Sequence, residues 1–405
     1  MRSEVFPEDS YPYLGAFCEE ASCSCFEFPW TASSCYSLAR NGIQLSGSVY
    51  TCSLSLFDMS DPTRVFVILS GEHPTLPLAE MSAILDANRI PFKIAGSFFK
   101  LVEIDADIHA VKTIADRGAF MDEVGEEIVH SGPTLEEIDD AVKSSDLPRF
   151  LQADESFSIR VLRFGGVSKE MPRVKLEGHL GWLMNKVTSA KVDLENPQRQ
   201  FRGLLAGPYF HLGLIAHRRP DVFVANRRPR MRPSFHPSTM VPKLARSMVN
   251  MSHAVPGSTF LDPFCGVGGI LLEASLLGCQ VVGVDALRRM TRGSRRNLKH
   301  FGMDPLGLVR GDARHLPVRK VDAIATDPPY GTGASTLKST TRNILKDFLP
   351  CAHSILSKGQ RAVVASPVGT RTPDVAESAG FKVVDRHEVY VHRSLTREIL
   401  VLEAN

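Results

Sequence analysis

The chain has 405 residues, 43% of them apolar and 23% charged, with a formal net charge of +2. These proportions describe a folded protein of more than one domain and exclude wholesale disorder, while so small a net charge means that any nucleic-acid site must come from local clustering. No apolar run is long enough to span a membrane, and the opening MRSEVFPEDSYPY is too acidic and broken for a secretory leader, so the cytoplasm is the expected location.

Residues 1–63 are expected to be a poorly ordered Ser/Cys-rich extension. Five of the eight cysteines lie there, Cys18, Cys23, Cys25, Cys35 and Cys52, in irregular spacings without the paired CxxC halves of a zinc site, and no metal is expected. From Arg64 the texture changes. RVFVILS reads as a buried strand, PLAEMSAILDA as a helix, SFFKLVEID as a strand and IHAVKTIADRG as a helix, giving a small α/β unit over 64–150. A second unit over 151–216 follows with the strand SFSIRVLRFG, the helix VKLEGHLGWLMNKV and a strand pair around FRGLLAGPYFHLGLIA. Neither unit offers a nucleophile or an acid–base pair.

Between His217 and His236 six arginines, including Arg227, Arg228 and Arg230, face one acid, Asp221, and three prolines disfavour a helix. The segment 217–238 is therefore a basic linker, and its guanidinium forks suit phosphate oxygens, which makes those three arginines candidate contacts to a nucleic-acid backbone. Beyond it, 239–405 alternates short apolar strands with helices as a doubly wound α/β domain does. Its tail, FKVVDRHEVYVHRS followed by TREILVLEA, predicts a hairpin at one sheet edge.

Four acids end successive strands of this domain: Asp262 after STFL, Asp285 after VVGV, Asp312 after LVRG and Asp327 after AIAT. In an open parallel sheet that edge is where ligands bind. Asp262, Pro263, Phe264, Cys265, Gly266, Val267, Gly268 and Gly269 form a glycine-rich turn into a helix, where missing side chains let a ligand approach the backbone. A pyrophosphate would repel an acid at the mouth of this turn. S-adenosylmethionine has no phosphate and carries a cationic amino group and a sulfonium, so Asp262 suits it better. Asp285, 23 residues on, is placed for the ribose hydroxyls, and Asp312 with Ala313 for the adenine. Cys265 has no sequence partner that would make it a nucleophile and reads as a small lining residue.

Asp327-Pro328-Pro329-Tyr330-Gly331 is the catalytic candidate. Two prolines in succession hold the Asp327 carboxylate and the Pro328 carbonyl as rigid acceptors. An exocyclic amine on a base is a poor nucleophile with two N–H donors; two fixed acceptors orient it and stabilise the charge that develops as a methyl arrives. Tyr330 would offer a face on which an extruded base stacks, and Gly331 would clear room.

Taken together, DPFCGVGGILLEA, GVDA, GDAR and DPPYG, with RPSFHPSTMVPKLARSMVN before them and HRSLTREILVL after, resemble the THUMP-domain tRNA guanine-N2-methyltransferases, especially the archaeal enzymes acting on guanosine 10. The resemblance covers about residues 64–405 and implies a Rossmann-like methyltransferase domain behind ferredoxin-like and THUMP units that grip tRNA. It implies N2-methylguanosine or N2,N2-dimethylguanosine as product, base flipping from a paired stem, a monomer that could need an activating partner, and a place near the cofactor for His236-Pro237. It gives residues 1–63 no role. Two other readings compete. A DNA adenine-N6 or cytosine-N4 methyltransferase shares the Asp-Pro-Pro-Tyr chemistry but calls for a base-reading domain, and a catalytically silent RNA-binding protein would have no need of the intact acids.

Overall fold

The computed structural model describes residues 62–165, 172–220, 224–330 and 340–405. The first 61 residues with their five cysteines, Asp221 and Gly331 lie outside the described residues.

The N-terminal half forms one sheet. Its strands are β1 (Thr63–Leu69), β2 (Phe92–Phe98), β3 (Leu101–Ala106), β4 (Met121–Ser131), β5 (Ser156–Phe164), β6 (Lys191–Val192), β7 (Arg199–Ala206) and β8 (Tyr209–Arg218), in the spatial order β2-β3-β1-β4-β8-β7-β5-β6. Helices α1 (Leu76–Ala87), α2 (His109–Arg117), α3 (Leu135–Ser144), α4 (Leu147–Phe150) and α5 (Arg173–Thr188) complete it. The stretch SFFKLVEID is a hairpin rather than the single strand expected: Phe99, with φ 57°, takes the left-handed conformation that turns β2 into β3. Strand β4 escaped the sequence reading because Asp122, Glu123, Glu126 and Glu127 interrupt its apolar pattern. It is nevertheless one of the two central strands, paired antiparallel with β1 and with β8, so the stretches 64–150 and 151–216 share one continuous sheet.

The C-terminal half begins at α6 (Pro242–Met251), which Pro242 opens at a first-turn position where no backbone N–H is needed. The rest runs β9 (Thr259–Asp262), α7 (Gly269–Leu276), β10 (Gln280–Asp285), α8 (Arg288–His300), β11 (Gly307–Arg310), β12 (Ala323–Thr326), α9 (Thr341–Ile355), β13 (Arg361–Pro367), α10 (Thr372–Ser378), β14 (Phe381–His392) and β15 (Leu395–Ala404). The sheet order is β11-β10-β9-β12-β13-β15-β14. Neighbours among the first five strands are parallel, whereas β15 runs antiparallel to both β13 and β14, as the tail hairpin predicts. The chain moves outward from β9 to β11 and then returns to β12 on the other side of β9, so the order reverses between β9 and β12.

The two halves share a core, in which Leu76, Ala79 and Phe120 pack with Leu244, Met248 and Val249 of α6. A buried polar lock sits beside it. The Glu80 carboxylate accepts from the N–H groups of Ala119 (3.0 Å) and Phe120 (2.9 Å) and from Asn250 Nδ2 (2.7 Å), while Arg117 donates to Asn250 Oδ1 (3.2 Å) and to the Ala254 carbonyl (2.5 Å). Both oxygens of the buried Glu80 and the amide group of Asn250 have partners, whereas Arg117 Nε has none, so the lock is held through the Glu80–Asn250–Arg117 contacts just named.

Candidate active site

Because β11, β10, β9 and β12 are neighbours in that order, the acids at their ends are brought to one edge. They open on a cavity of about 590 Å³. Its wall includes Asp262, Pro263, Phe264 and Gly266 from the glycine turn, Asp285, Asp312 and Ala313 from the next two strand ends, and Asp327, Pro328 and Tyr330. His236 and Pro237 line it as well.

Asp262 is almost fully buried. Its Oδ1 accepts from Thr326 Oγ1 (2.7 Å) and from the Phe264 N–H (3.2 Å), which leaves Oδ2 without a hydrogen bond among the described residues. Burial, with the fields of Asp327 and Asp285 added, pushes its pKa up to about 7, against the pull of those two hydrogen bonds. Asp285 is held at both oxygens, Oδ2 by the Gly266 N–H (3.0 Å) and Oδ1 by the Leu287 N–H (2.8 Å), so its remaining lone pairs are fixed in direction. Gly266 (φ 51°) has open space where a side chain would begin. The role expected of Gly268 needs correction: it is not on the cavity wall. With φ 81° it lies against α8, where a Cβ would come within 2.4 Å of Ser294 Oγ, so it permits close packing of the turn. Asp312 is at the edge of the cavity, ion-paired with Arg314 (Nη2 to Oδ2 2.6 Å), and that hydrogen-bonded guanidinium lowers its pKa. Cys265 is buried, and desolvation holds its thiol well above the ordinary range, in keeping with a lining role.

At the catalytic candidate the structure adds a residue that sequence reasoning missed. Arg397, on β15, places Nη2 3.1 Å from Asp327 Oδ2 and Nε 3.1 Å from the Tyr330 hydroxyl, and that hydroxyl donates to Asp327 Oδ1. The Arg397 guanidinium carbon also lies 5.7 Å from the Tyr330 ring centroid. The Tyr330 hydroxyl is thus committed to Asp327, and Arg397 stands over its ring, partners that the stacking role expected of it did not include. Burial raises the Asp327 pKa, opposed by Arg397 and by the Tyr330 hydrogen bond. The signal for Arg397 was a charged residue inside the apolar run TREILVL, but only the pairing of β15 with β13 carries it to the cavity.

The three arginines of the linker separate. Arg227 is not available to phosphate: its Nε lies 2.9 Å from Oε1 of the fully buried Glu273, which Arg246 also contacts (2.9 Å). Arg228 and Arg230 are exposed, and none of the three lines the cavity.

The cavity suits S-adenosylmethionine. Carboxylates line its strand ends, Asp262 keeps Oδ2 free of hydrogen bonds for a cation, and Asp285 holds two fixed acceptors for a diol. With the reversal of strand order and the glycine turn, this defines a Rossmann-like, S-adenosylmethionine-dependent methyltransferase domain. Residues 229–399 match the family model described as an RMKL-like methyltransferase domain. The chain is 38% identical over 345 residues to the tRNA (guanine(10)-N2)-dimethyltransferase of Methanothermobacter thermautotrophicus, covering 84% of this chain and 99% of the relative. To the protein of the same name from Methanocaldococcus jannaschii it is 29% identical over 360 residues, covering 82% and 98%. The chain belongs to the tRNA (guanine(10)-N2)-dimethyltransferase family. The crystal structure of SMU.472 complexed with SAH shares the fold, with a TM-score of 0.50, 13% identity and coverage of 86% of this chain and 99% of that one.

Proposed function

We propose that the protein transfers methyl groups from S-adenosylmethionine to the exocyclic N2 of a guanine in tRNA, guanosine 10, forming N2-methylguanosine and then N2,N2-dimethylguanosine. The observation that carries this reading is the convergence of Asp262, Asp285 and Asp327 on one cavity, in a chain that matches nearly the full length of its archaeal relative. The cofactor supplies an electrophilic methyl. Asp285 orients it through the ribose hydroxyls and Asp312 with Ala313 borders the adenine, while Asp262 offers Oδ2 to its cationic end. Asp327 and the Pro328 carbonyl would accept from the guanine amine, align its lone pair, and stabilise the positive charge that grows on N2 as the N–CH3 bond forms and the sulfonium S–CH3 bond breaks. The N2 proton then leaves to the carboxylate or to solvent. For a base to reach Asp327, the Tyr330 hydroxyl must yield its hydrogen bond, and Arg397 then steadies the carboxylate alone.

In this reading residues 64–150 are a ferredoxin-like unit, 151–216 a THUMP unit and 217–238 a basic linker, and together they hold the RNA, in a protein acting as a monomer in the cytoplasm. Exposed Arg228 and Arg230 supply phosphate contacts, joined by the groove of Arg288, Arg292, Arg295 and Arg310 beside the cavity's own helix α8. The test is to incubate the full chain with labelled S-adenosylmethionine and an unmodified tRNA transcript, then identify the nucleoside and its position by mass spectrometry. Methylated N2 at position 10, lost when that guanosine is replaced by adenosine, is the expected result. Label on adenine or cytosine, or transfer to DNA instead of tRNA, would overturn the reading.

A further inference from the structure

The N-terminal sheet carries a second constellation, far in sequence from the methyltransferase motifs. Glu103 on β3, Glu127 and His130 on β4, and His211 on β8 each bring one ligand atom to within 4.8 Å of the others. Glu103 and His211 are buried, with side-chain exposures of 8% and 3%, and the Glu127 side chain is 5% exposed, whereas His130 reaches the surface at 39%. His211 Nδ1 lies 2.5 Å from Glu103 Oε1 and 3.2 Å from Glu127 Oε2, and His130 Nδ1 lies 3.5 Å from Glu127 Oε1 and 4.0 Å from Glu103 Oε1.

Two features show that the backbone is shaped around this point. Glu127 and His130 are three residues apart and would face opposite sides of a regular strand. The register of β4 on β8 shifts between Glu127 and Val129, and this bulge turns both toward one face and sets His130 opposite His211. On β2, Gly96 makes room for Glu103, because a Cβ there would meet Glu103 Oε2 at 2.4 Å. The cluster is also incompletely satisfied. His211 Nδ1 is hydrogen-bonded to Glu127 and ion-paired with Glu103 Oε1, which accepts no well-aligned hydrogen bond. Arg64, whose guanidinium lies in the field of the same carboxylates, is itself engaged by Asp105 at 2.6 Å. Two buried carboxylates face one buried imidazole, His211, with His130 beside them at the surface, an arrangement that a bound cation would complete.

We propose that Glu103, Glu127, His130 and His211 form a binding site for a divalent cation of the zinc class. Two imidazole nitrogens and two carboxylates are a donor set that zinc accepts, and ligands about 2.0–2.2 Å from such an ion stand roughly 3.4 Å apart in a tetrahedron, a value inside the range of spacings found here. Ligands drawn from β3, β4 and β8 make the ion a staple across the middle of the sheet. It joins the stretches that precede and follow β4 without taking part in methyl transfer.

The full-length protein, stripped with EDTA, is titrated with zinc chloride and separately with cobalt chloride. Binding of zinc at this cluster is expected to raise the melting temperature, since the ion binds the folded state alone. The cobalt form should show four-coordinate visible bands that remain in a variant with its cysteines replaced. His130 is at the surface, so His130→Ala should fold normally, bind zinc at least tenfold more weakly and lose most of the zinc-induced rise. Glu103→Gln keeps the shape and removes one carboxylate ligand, and it should fail to bind the ion. Equal zinc affinity in wild type and His130→Ala, or binding that vanishes with the cysteines, would overturn the proposal. So would a Glu103→Gln variant that loses stability in metal-free buffer and leaves zinc binding unaltered, because the cluster would then be an ordinary ion-pair network.

Discussion

In the cavity Asp327 accepts from Tyr330 and faces Arg397, so its charge and its geometry can be varied separately. Asp327→Asn keeps an acceptor oxygen and nearly the same shape but removes the negative charge opposite the developing cation. Turnover should fall about a hundred- to a thousandfold while S-adenosylmethionine and tRNA remain bound. Single-turnover kinetics within threefold of wild type would show that acceptor geometry, rather than charge, dominates. Asp262 leads to an expectation about pH. With a folded-state pKa of about 7 its carboxyl is protonated below that value, and a cationic cofactor favours the carboxylate. Affinity for S-adenosylmethionine should therefore rise with pH through about 7 and level off above it, with uptake of cofactor releasing protons near the midpoint. The same ionisation opposes folding: stability of the cofactor-free protein should decline as pH rises from the ordinary carboxyl value of 3.8 toward 7, because the unfolded chain ionises first. Calorimetry across that range on wild type and Asp262→Asn is the check, and a pH dependence unchanged in the variant would remove Asp262 from the account.

At the scale of the element, the turn between β9 and α7 depends on packing as much as on ligand. Gly268→Ala places a methyl group against Ser294 in a left-handed conformation, and strain of this kind costs about 1–3 kcal/mol. The variant should melt lower, and Ser294→Gly in the same chain should recover part of the loss by removing the clash. If thermal unfolding shows no such recovery, the close approach to α8 is not what Gly268 provides. The linker arginines divide in the same manner. Arg227→Ala removes one of the two cations on buried Glu273 and should lower stability, toward the smaller end of the roughly 3–5 kcal/mol seen when a buried pair is broken.

For the whole molecule, the shared core and the Glu80–Asn250–Arg117 lock hold the N-terminal sheet to the methyltransferase domain, so under the proposed function an RNA bound on the first half would meet the cavity of the second in a fixed relation. Arg228→Ala with Arg230→Ala should weaken tRNA binding, leave cofactor affinity unchanged, and reduce the slope of log affinity against log salt by roughly 1.8, two phosphate contacts at about 0.9 each. Filter binding over a range of salt concentrations measures this, and parallel slopes for wild type and variant would return the segment to the role of a plain linker.

The sequence alone determined the alternation of the C-terminal half, its closing hairpin and the four acids at strand ends, because those signals are local: short apolar runs, glycines where a turn needs them, and prolines that restrict the backbone beside Asp327. It also determined the family, through motifs carried on those same turns. Tertiary structure alone decided what depends on residues distant in the chain. Strand β4 is stabilised by neighbours on both sides despite its acids, Arg397 reaches Asp327 and Tyr330 only because β15 pairs with β13, and Arg227 is drawn inward by a glutamate 46 residues away. Pairing partners and buried counter-charges are chosen by the folded whole, so no window of sequence contains them.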